Sequence, residues 1–239
     1  NLDVKFSLDG EKLIGSKGTS ALIYFLHNNG GQPGAALVEN AEGVDNIEVP
    51  TTGGKLYEAW IQQNILEDIL SIRAGLYDLN SEFYVNEASG LFLRPTFGIG
   101  TDLSQTGQNG PSIFPVVSAG IRVKVRPGSK LFVQAVVLDG VPGDPDNPRG
   151  THVEFNSGDG ELLVGEADYL PGGEGMPGKI GLGVWKYTEG FEDFTELDAS
   201  GNPLKRPNEG MYILAEHKVY RASGDADRGL WKLLLKLLA

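Results

Sequence analysis

The feature that most constrains this chain is a period-two alternation of apolar and polar residues, repeated in segments joined by connections that are alternately short and long. In the first segment Leu2, Val4, Phe6 and Leu8 fall on one face, and Asp3, Lys5, Ser7 and Asp9 on the other. Successive side chains of a strand point to opposite sides of a sheet, so this spacing predicts a strand with one apolar and one wet face. Ser16-Lys17-Gly18 then supplies a turn into a second run, Thr19 to Leu26. A long stretch rich in Gly, Asn and Pro follows, ending near Gly54.

The same unit recurs down the chain. Lys55 to Asn64 sets Glu58, Gln62 and Asn64 opposite Tyr57, Ala59 and Ile61. After Leu66-Glu67-Asp68, Leu70, Ile72, Ala74 and Leu76 oppose Ser71, Arg73 and Tyr77. A long connection from about Asn80 to Pro115 leads to Ala119, Ile121, Val123 and Val125, which oppose Arg122, Lys124 and Arg126. Pro127-Gly128-Ser129 turns the chain into Leu131 to Asp139, and a third long loop runs to about Gly160. Glu161 to Tyr169 and Ile180 to Thr188 make a fourth pair, and Met211 to Tyr220 begins a fifth, for about ten strands.

Short turns alternating with long loops are what an up-and-down meander in a membrane wall requires, with turns at one rim and loops at the other. A soluble sandwich crosses between sheets by Greek-key connections and does not need this regularity. Arg73, Arg122, Lys124 and Glu216 also sit at strand centres on the polar face. A dry core cannot accept them unpaired, so they face water, outside a soluble sheet or inside a wide lumen.

Composition removes several alternatives. Charged residues, Gln or Gly interrupt every apolar run, so no segment is long enough for a transmembrane helix. Membrane strands need only about 9–11 residues each and stay open as a reading. A net charge of −12 argues against a nucleic-acid partner, which calls for a basic surface. With no Cys, disulfides, thiolate catalysis and Cys-ligated zinc are excluded. The chain opens on Asn1 with no basic-then-apolar leader, so export has to be argued from the strand pattern.

Four ordered stretches carry a resemblance: Tyr57 to Asn64, Ala74 to Tyr84, Gly110 to Pro115, and Asp139 to His152 with its Gly-Val-Pro-Gly-Asp-Pro-Asp-Asn-Pro run. Together they make the chain, from about Asn1 to Arg228, similar to the carbohydrate-selective porin (OprB-type) family. The resemblance implies an all-β, antiparallel up-and-down transmembrane β-barrel of the bacterial outer membrane, sixteen strands in the family, admitting glucose and related sugars by passive diffusion. Its partners are then mono- and small oligosaccharides and outer-membrane lipid, with a homotrimer suggested by analogy to related porins and no cofactor. About ten strands cannot close a wall of sixteen, so the expectation is an incomplete barrel or an unusual smaller assembly. The organisation expected is a porin segment over residues 1–228 and an atypical Leu/Lys-rich end over 229–239. That end fits an interfacial helix, with Lys232 and Lys236 at i, i+4, or a strand with Trp231, Leu233, Leu235 and Leu237 on one face. Its phase with the meander favours the strand.

A sugar offers hydroxyls at its edge and weakly apolar ring faces, so a selective constriction wants charged donors and acceptors together with aromatic rings. Arg73 and Glu58, on adjacent strands and the polar face, are the first candidate pair, with Gln62 beside them. An ordinary ion pair in the wall would use the same residues. Structureless loops beyond about 12–15 residues are usually functional or disordered. Porins fold such a loop into the lumen, so the resemblance makes Asp78, Glu82, Arg94 and Phe97 eyelet candidates, an external cap being the alternative. Arg122 and Lys124 would bias the field of the pore, together with Arg126. Tyr57 and Tyr169 are candidates for the aromatic girdle at the lipid interface.

Nothing points to catalysis or a metal. Asp144 and Asp146 alternate like Ca²⁺ ligands, but no Gly or Glu continues the pattern, and turn chemistry explains them. His27, His152 and His217 are far apart in sequence, with no catalytic or metal motif around them. The competing function is a soluble, secreted carbohydrate-binding β domain, which would turn its apolar faces into a core and stay monodisperse without detergent.

Overall fold

A computed structural model describes residues 2–39, 43–172, 178–220 and 231–238 of the 239-residue chain. Its strands are β1 (Leu2–Asp9), β2 (Thr19–Asn28), β3 (Gly53–Ile65), β4 (Leu70–Tyr77), β5 (Ser118–Val125) and β6 (Leu131–Asp139). They continue as β7 (Glu161–Tyr169), β8 (Lys179–Tyr187), β9 (Phe191–Leu197), β10 (Pro203–Arg206), β11 (Glu209–Tyr220) and β12 (Trp231–Leu238). Ten of these form one sheet in the order β1-β2-β3-β4-β5-β6-β7-β8-β11-β12, and β9 pairs only with β10. Every pairing is antiparallel and between chain neighbours of the meander. Among the described residues the sheet is a curved wall that does not close: β1 and β12 are its two ends.

Local chemistry sets the narrow connections. Asp9 accepts hydrogen bonds from the amides of Glu11 and Lys12 and caps a single helical turn, Gly10–Ile14, which the period-two pattern does not register. Gly15, at φ 70°, ends that turn in the left-handed conformation that glycine adopts without steric cost. The β9–β10 hairpin also escaped the sequence reading, because Phe191 to Leu197 mixes acids and apolar residues without clean alternation. Trp231–Leu238 runs as a strand paired with β11, not as a helix.

The two faces of the wall are inverted relative to a soluble sheet. Leu2, Phe6, Ile23, Phe25, Ile61, Ile121, Val133, Ile180, Leu182 and Ile213 are exposed, whereas Ser71, Arg122, Gln134, Glu166 and Asp168 are buried. A soluble sandwich would bury the first set, and a lipid-facing wall exposes it.

Polar groups on the concave side are buried because the β4–β5 connection, residues 78–117, folds into the trough. Its Leu79, Phe83, Tyr84, Ile99 and Leu103 join Val136, Leu138, Leu162, Val164, Trp185, Tyr187, Tyr212 and Leu214 in one apolar cluster. Depth for that cluster comes from glycine placed opposite aromatics. Tyr212 lies over Gly183, and Trp185 over Gly210, in a reciprocal pair of cross-strand positions on β8 and β11. A Cβ on Gly183 would fall 1.9 Å from the Tyr212 ring, so no other residue lets that ring lie flat on the wall.

Candidate pore-lining site

The concave face carries a connected set of charges around Glu82, near the start of the long loop. Short helical turns at Leu79–Ser81 place it: Asp78 caps this turn by accepting from the Asn80 amide at 2.9 Å. The Glu82 carboxylate then meets three cations from the wall. Arg122 Nε donates at 2.8 Å, Lys124 Nζ at 3.2 Å, and Arg73 Nη1 lies at 3.5 Å. Tyr77 adds its hydroxyl at 2.7 Å. Burial alone would raise the Glu82 carboxyl, but Lys124, Arg73 and Arg122 together outweigh it and hold it down at about 2.

Arg122 is saturated. Besides Glu82 it donates to the Ser71 carbonyl and hydroxyl at 3.1 and 2.8 Å and to Gln62 Oε1 at 2.8 Å, and it is 1% exposed. It therefore fixes the loop to the wall and offers nothing to a passing solute. Arg73 and Lys124 keep side-chain exposures of 12% and 18%, and Glu82 keeps 16%, so these three present polar atoms to the lumen. Arg73 also stacks over Trp60 at 3.9 Å and sits 5.1 Å from the Tyr77 ring centre, and its Nε donates to Gln62.

Glu58 and Asp78 form a second, acidic patch next to this one. Glu58 accepts from Trp60 Nε1 at 3.1 Å and from the Asp78 amide at 3.4 Å, and Asp78 Oδ2 accepts the Tyr57 hydroxyl at 2.6 Å. Burial, opposed by the Tyr57 hydroxyl and reinforced by the Glu58 carboxylate, pushes Asp78 up to about 6. A recess of about 570 Å³ opens beside the cations, bordered by Gln62, Asn64, Ser71, Arg73, Glu82, Lys124 and Arg126. A larger hollow, about 970 Å³, lies on the outward face against Ala74, Ile121, Val123 and Val137 and so addresses the membrane rather than the lumen.

Of the residues picked from sequence, the fold brings Glu58, Gln62, Arg73, Asp78, Glu82, Arg122 and Lys124 together. Arg73 takes its carboxylate partner from the loop, Glu82, rather than Glu58 from the adjacent strand. Arg94 and Phe97 stand on the exposed limb of the loop, where Phe97 stacks on Phe92 at 4.2 Å. Tyr57 is a correction: it points into the trough and is 3% exposed, not set in a lipid girdle. The cause is a β-bulge. Phe25 pairs with Leu56 and Tyr24 with Glu58, so Tyr57 has no partner across the ladder and the alternation slips there. Tyr169 does lie on the outward face, 47% exposed.

Sequence reading missed the second anchorage of the loop. Glu166 Oε2 accepts the Tyr84 amide at 2.8 Å and the Tyr212 hydroxyl at 2.7 Å, and Glu216 accepts the Ala88 amide at 3.0 Å. Lys179 donates to the Val85 carbonyl at 2.9 Å while pairing with Asp168, also at 2.9 Å. Only the inward parity of Glu166 and Asp168 hinted at it; the loop groups held there, the amides of Tyr84 and Ala88 and the carbonyl of Val85, are backbone and carry no sequence signature.

A sheet with apolar residues outside, charges inside and one long loop folded across its hollow is the architecture of a porin wall. The sequence matches the family described as "Carbohydrate-selective porin, OprB family" over residues 1–233. The chain belongs to this family. Among solved structures it is similar to the high-pH structure of Pseudomonas putida OprB, with a TM-score of 0.74 at 18% identity over 93% of this chain and 56% of that one. The low-pH structure of the same porin matches with a TM-score of 0.51, also at 18% identity, over 99% of this chain and 57% of that one. At this identity the likeness establishes the fold. The chain thus spans somewhat more than half the length of the solved OprB chains. No match was found among curated proteins.

Proposed function

We propose that the chain forms the loop-bearing part of a bacterial outer-membrane porin through which mono- and small oligosaccharides diffuse passively, glucose among them, with Arg73, Lys124 and Glu82 as the groups that meet the sugar. The observation that carries this reading is the loop anchored inside the trough: it sets a carboxylate and two partly exposed cations beside Trp60 and Tyr77 on the inner face. Hydroxyls along a sugar's edge can donate to Glu82 and accept from Arg73 and Lys124, while an aromatic ring receives an apolar ring face. Ion-pairing keeps these side chains in place without tight binding, and a conduit needs sites that release what they receive. Family membership and the exposed apolar outer face support a place in the outer membrane. A homotrimer rests on analogy with related porins.

Liposomes carrying the intact barrel should swell in glucose faster than in sucrose. Arg73→Ala and Glu58→Ala should each change the glucose rate or its ratio to sucrose. Unaltered rates in both would remove these residues from the constriction, and no swelling from a folded barrel would end the reading altogether.

A further inference from the structure

The β6–β7 connection, residues 140–160, takes no part in the clamp around Glu82. It arches along the long-loop rim toward β3: Thr151 Oγ1 donates to the Leu56 carbonyl at 2.9 Å, and Asn109 Nδ2 to the Pro142 carbonyl at 2.7 Å. Within it Asp144, His152 and Glu154 converge, one ligand atom from each lying within 4.8 Å of the others. All three lie in this one connection, so the convergence is made by the fold of the loop and not by a metal motif in the sequence.

Separate hydrogen bonds aim two of the three groups. Asp144 Oδ1 accepts the Asp146 amide at 2.9 Å, an Asx turn that orients the Asp144 carboxylate and uses only the backbone N–H of Asp146. His152 Nε2 lies 2.7 Å from the Arg149 carbonyl, an oxygen that can only accept. In the neutral ring Nε2 therefore carries the proton and the other nitrogen keeps its lone pair, the arrangement in which a backbone carbonyl fixes the tautomer of a metal-ligating imidazole. Two carboxylates and one imidazole then face each other at the half-exposed rim, and among the described residues no Lys or Arg side chain is bonded to them.

We propose that Asp144, His152 and Glu154 form a binding site for a zinc-class divalent cation that clasps the two limbs of this rim loop. An imidazole with two carboxylates suits Zn²⁺ and its transition-metal neighbours, whereas Ca²⁺ and Mg²⁺ take oxygen ligands only. Metal bonds of about 2.0–2.2 Å require the three ligand atoms to close by roughly 1 Å, which half-exposed side chains reach by small rotations, and water completes the coordination.

Zinc titration of the detergent-folded protein by calorimetry tests this, with trypsin cleavage after Arg149, inside the clasp, as the second readout. One Zn²⁺ per chain should bind, excess Ca²⁺ should not displace it, and cleavage after Arg149 should slow. Asp144→Asn and His152→Ala should each weaken binding by at least about tenfold and abolish the protection. Strand content by circular dichroism should be the same in both variants, since the loop lies outside the wall. Absent zinc binding, equal displacement by Ca²⁺, or binding that survives His152→Ala and is lost in His27→Ala or His217→Ala would each overturn the proposal.

Discussion

The long loop is held to the wall at two places, and the two clamps work in opposite ways. On β4 and β5 the loop contributes a side-chain charge, Glu82, and the wall contributes the cations Arg73, Arg122 and Lys124. On β7, β8 and β11 the wall contributes the charges Glu166, Lys179 and Glu216, and these meet backbone groups of the loop, the amides of Tyr84 and Ala88 and the carbonyl of Val85. The first clamp depends on charge and leaves polar atoms open to the lumen; the second depends on acceptor geometry inside an apolar cluster.

Substitutions that separate charge from acceptor geometry would break or sharpen this contrast. Glu82→Ala strips three cations of their partner, one of them Arg122 at 1% exposure, and should cost about 3–5 kcal/mol in chemical unfolding of the detergent-folded protein. Glu82→Gln should recover little of it, because the charge is lost as fully. Glu166→Ala should cost about 2–3 kcal/mol by orphaning the Tyr84 amide and the Tyr212 hydroxyl, yet Glu166→Gln should restore most of it, since an amide oxygen still accepts. Equal rescue, or equal failure, by Gln at both positions would erase the distinction.

Acidity gives a finer probe. Asp78 titrates near 6 in the fold against 3.8 ordinarily, so the folded protein holds the extra proton in that window. Its contribution to stability is fully present below about 3.8 and is lost as the pH rises through 6, a change on the order of 2–3 kcal/mol that Asp78→Asn should abolish. Glu82 has the opposite sign. Its folded value near 2 lies below the ordinary 4.5, so its stabilisation is complete above 4.5 and fades only as the pH falls toward 2. Unfolding midpoints between pH 4.5 and 7, where the Glu82 contribution is constant, should therefore follow Asp78, and a loss of stability on acidification from 6.5 to 4.5 would contradict this assignment. The smallest effect belongs to Thr106→Val, which removes a 3.2 Å contact to the Tyr187 hydroxyl and should cost about 0.5–1.5 kcal/mol in the same assay.

The period-two pattern determined by itself the strands of the main sheet, their antiparallel meander and which face is apolar, because those follow from the pleat of the backbone and need no knowledge of partners. It also marked Arg73, Arg122, Lys124 and Glu216 as unusual, since charges at strand centres must be accounted for, whereas Glu82 was reached only through the resemblance to porins. Pairing was decided only in three dimensions. Arg73 found Glu82 rather than Glu58, because the loop turns back into the trough at Asp78. Tyr57 turned inward through a bulge that depends on register with β2. The β7–β11 clamp uses backbone groups that every residue possesses. Alternation is a local property of the chain, whereas the partner of a charge depends on where a distant segment comes to rest, and only the tertiary structure fixes that.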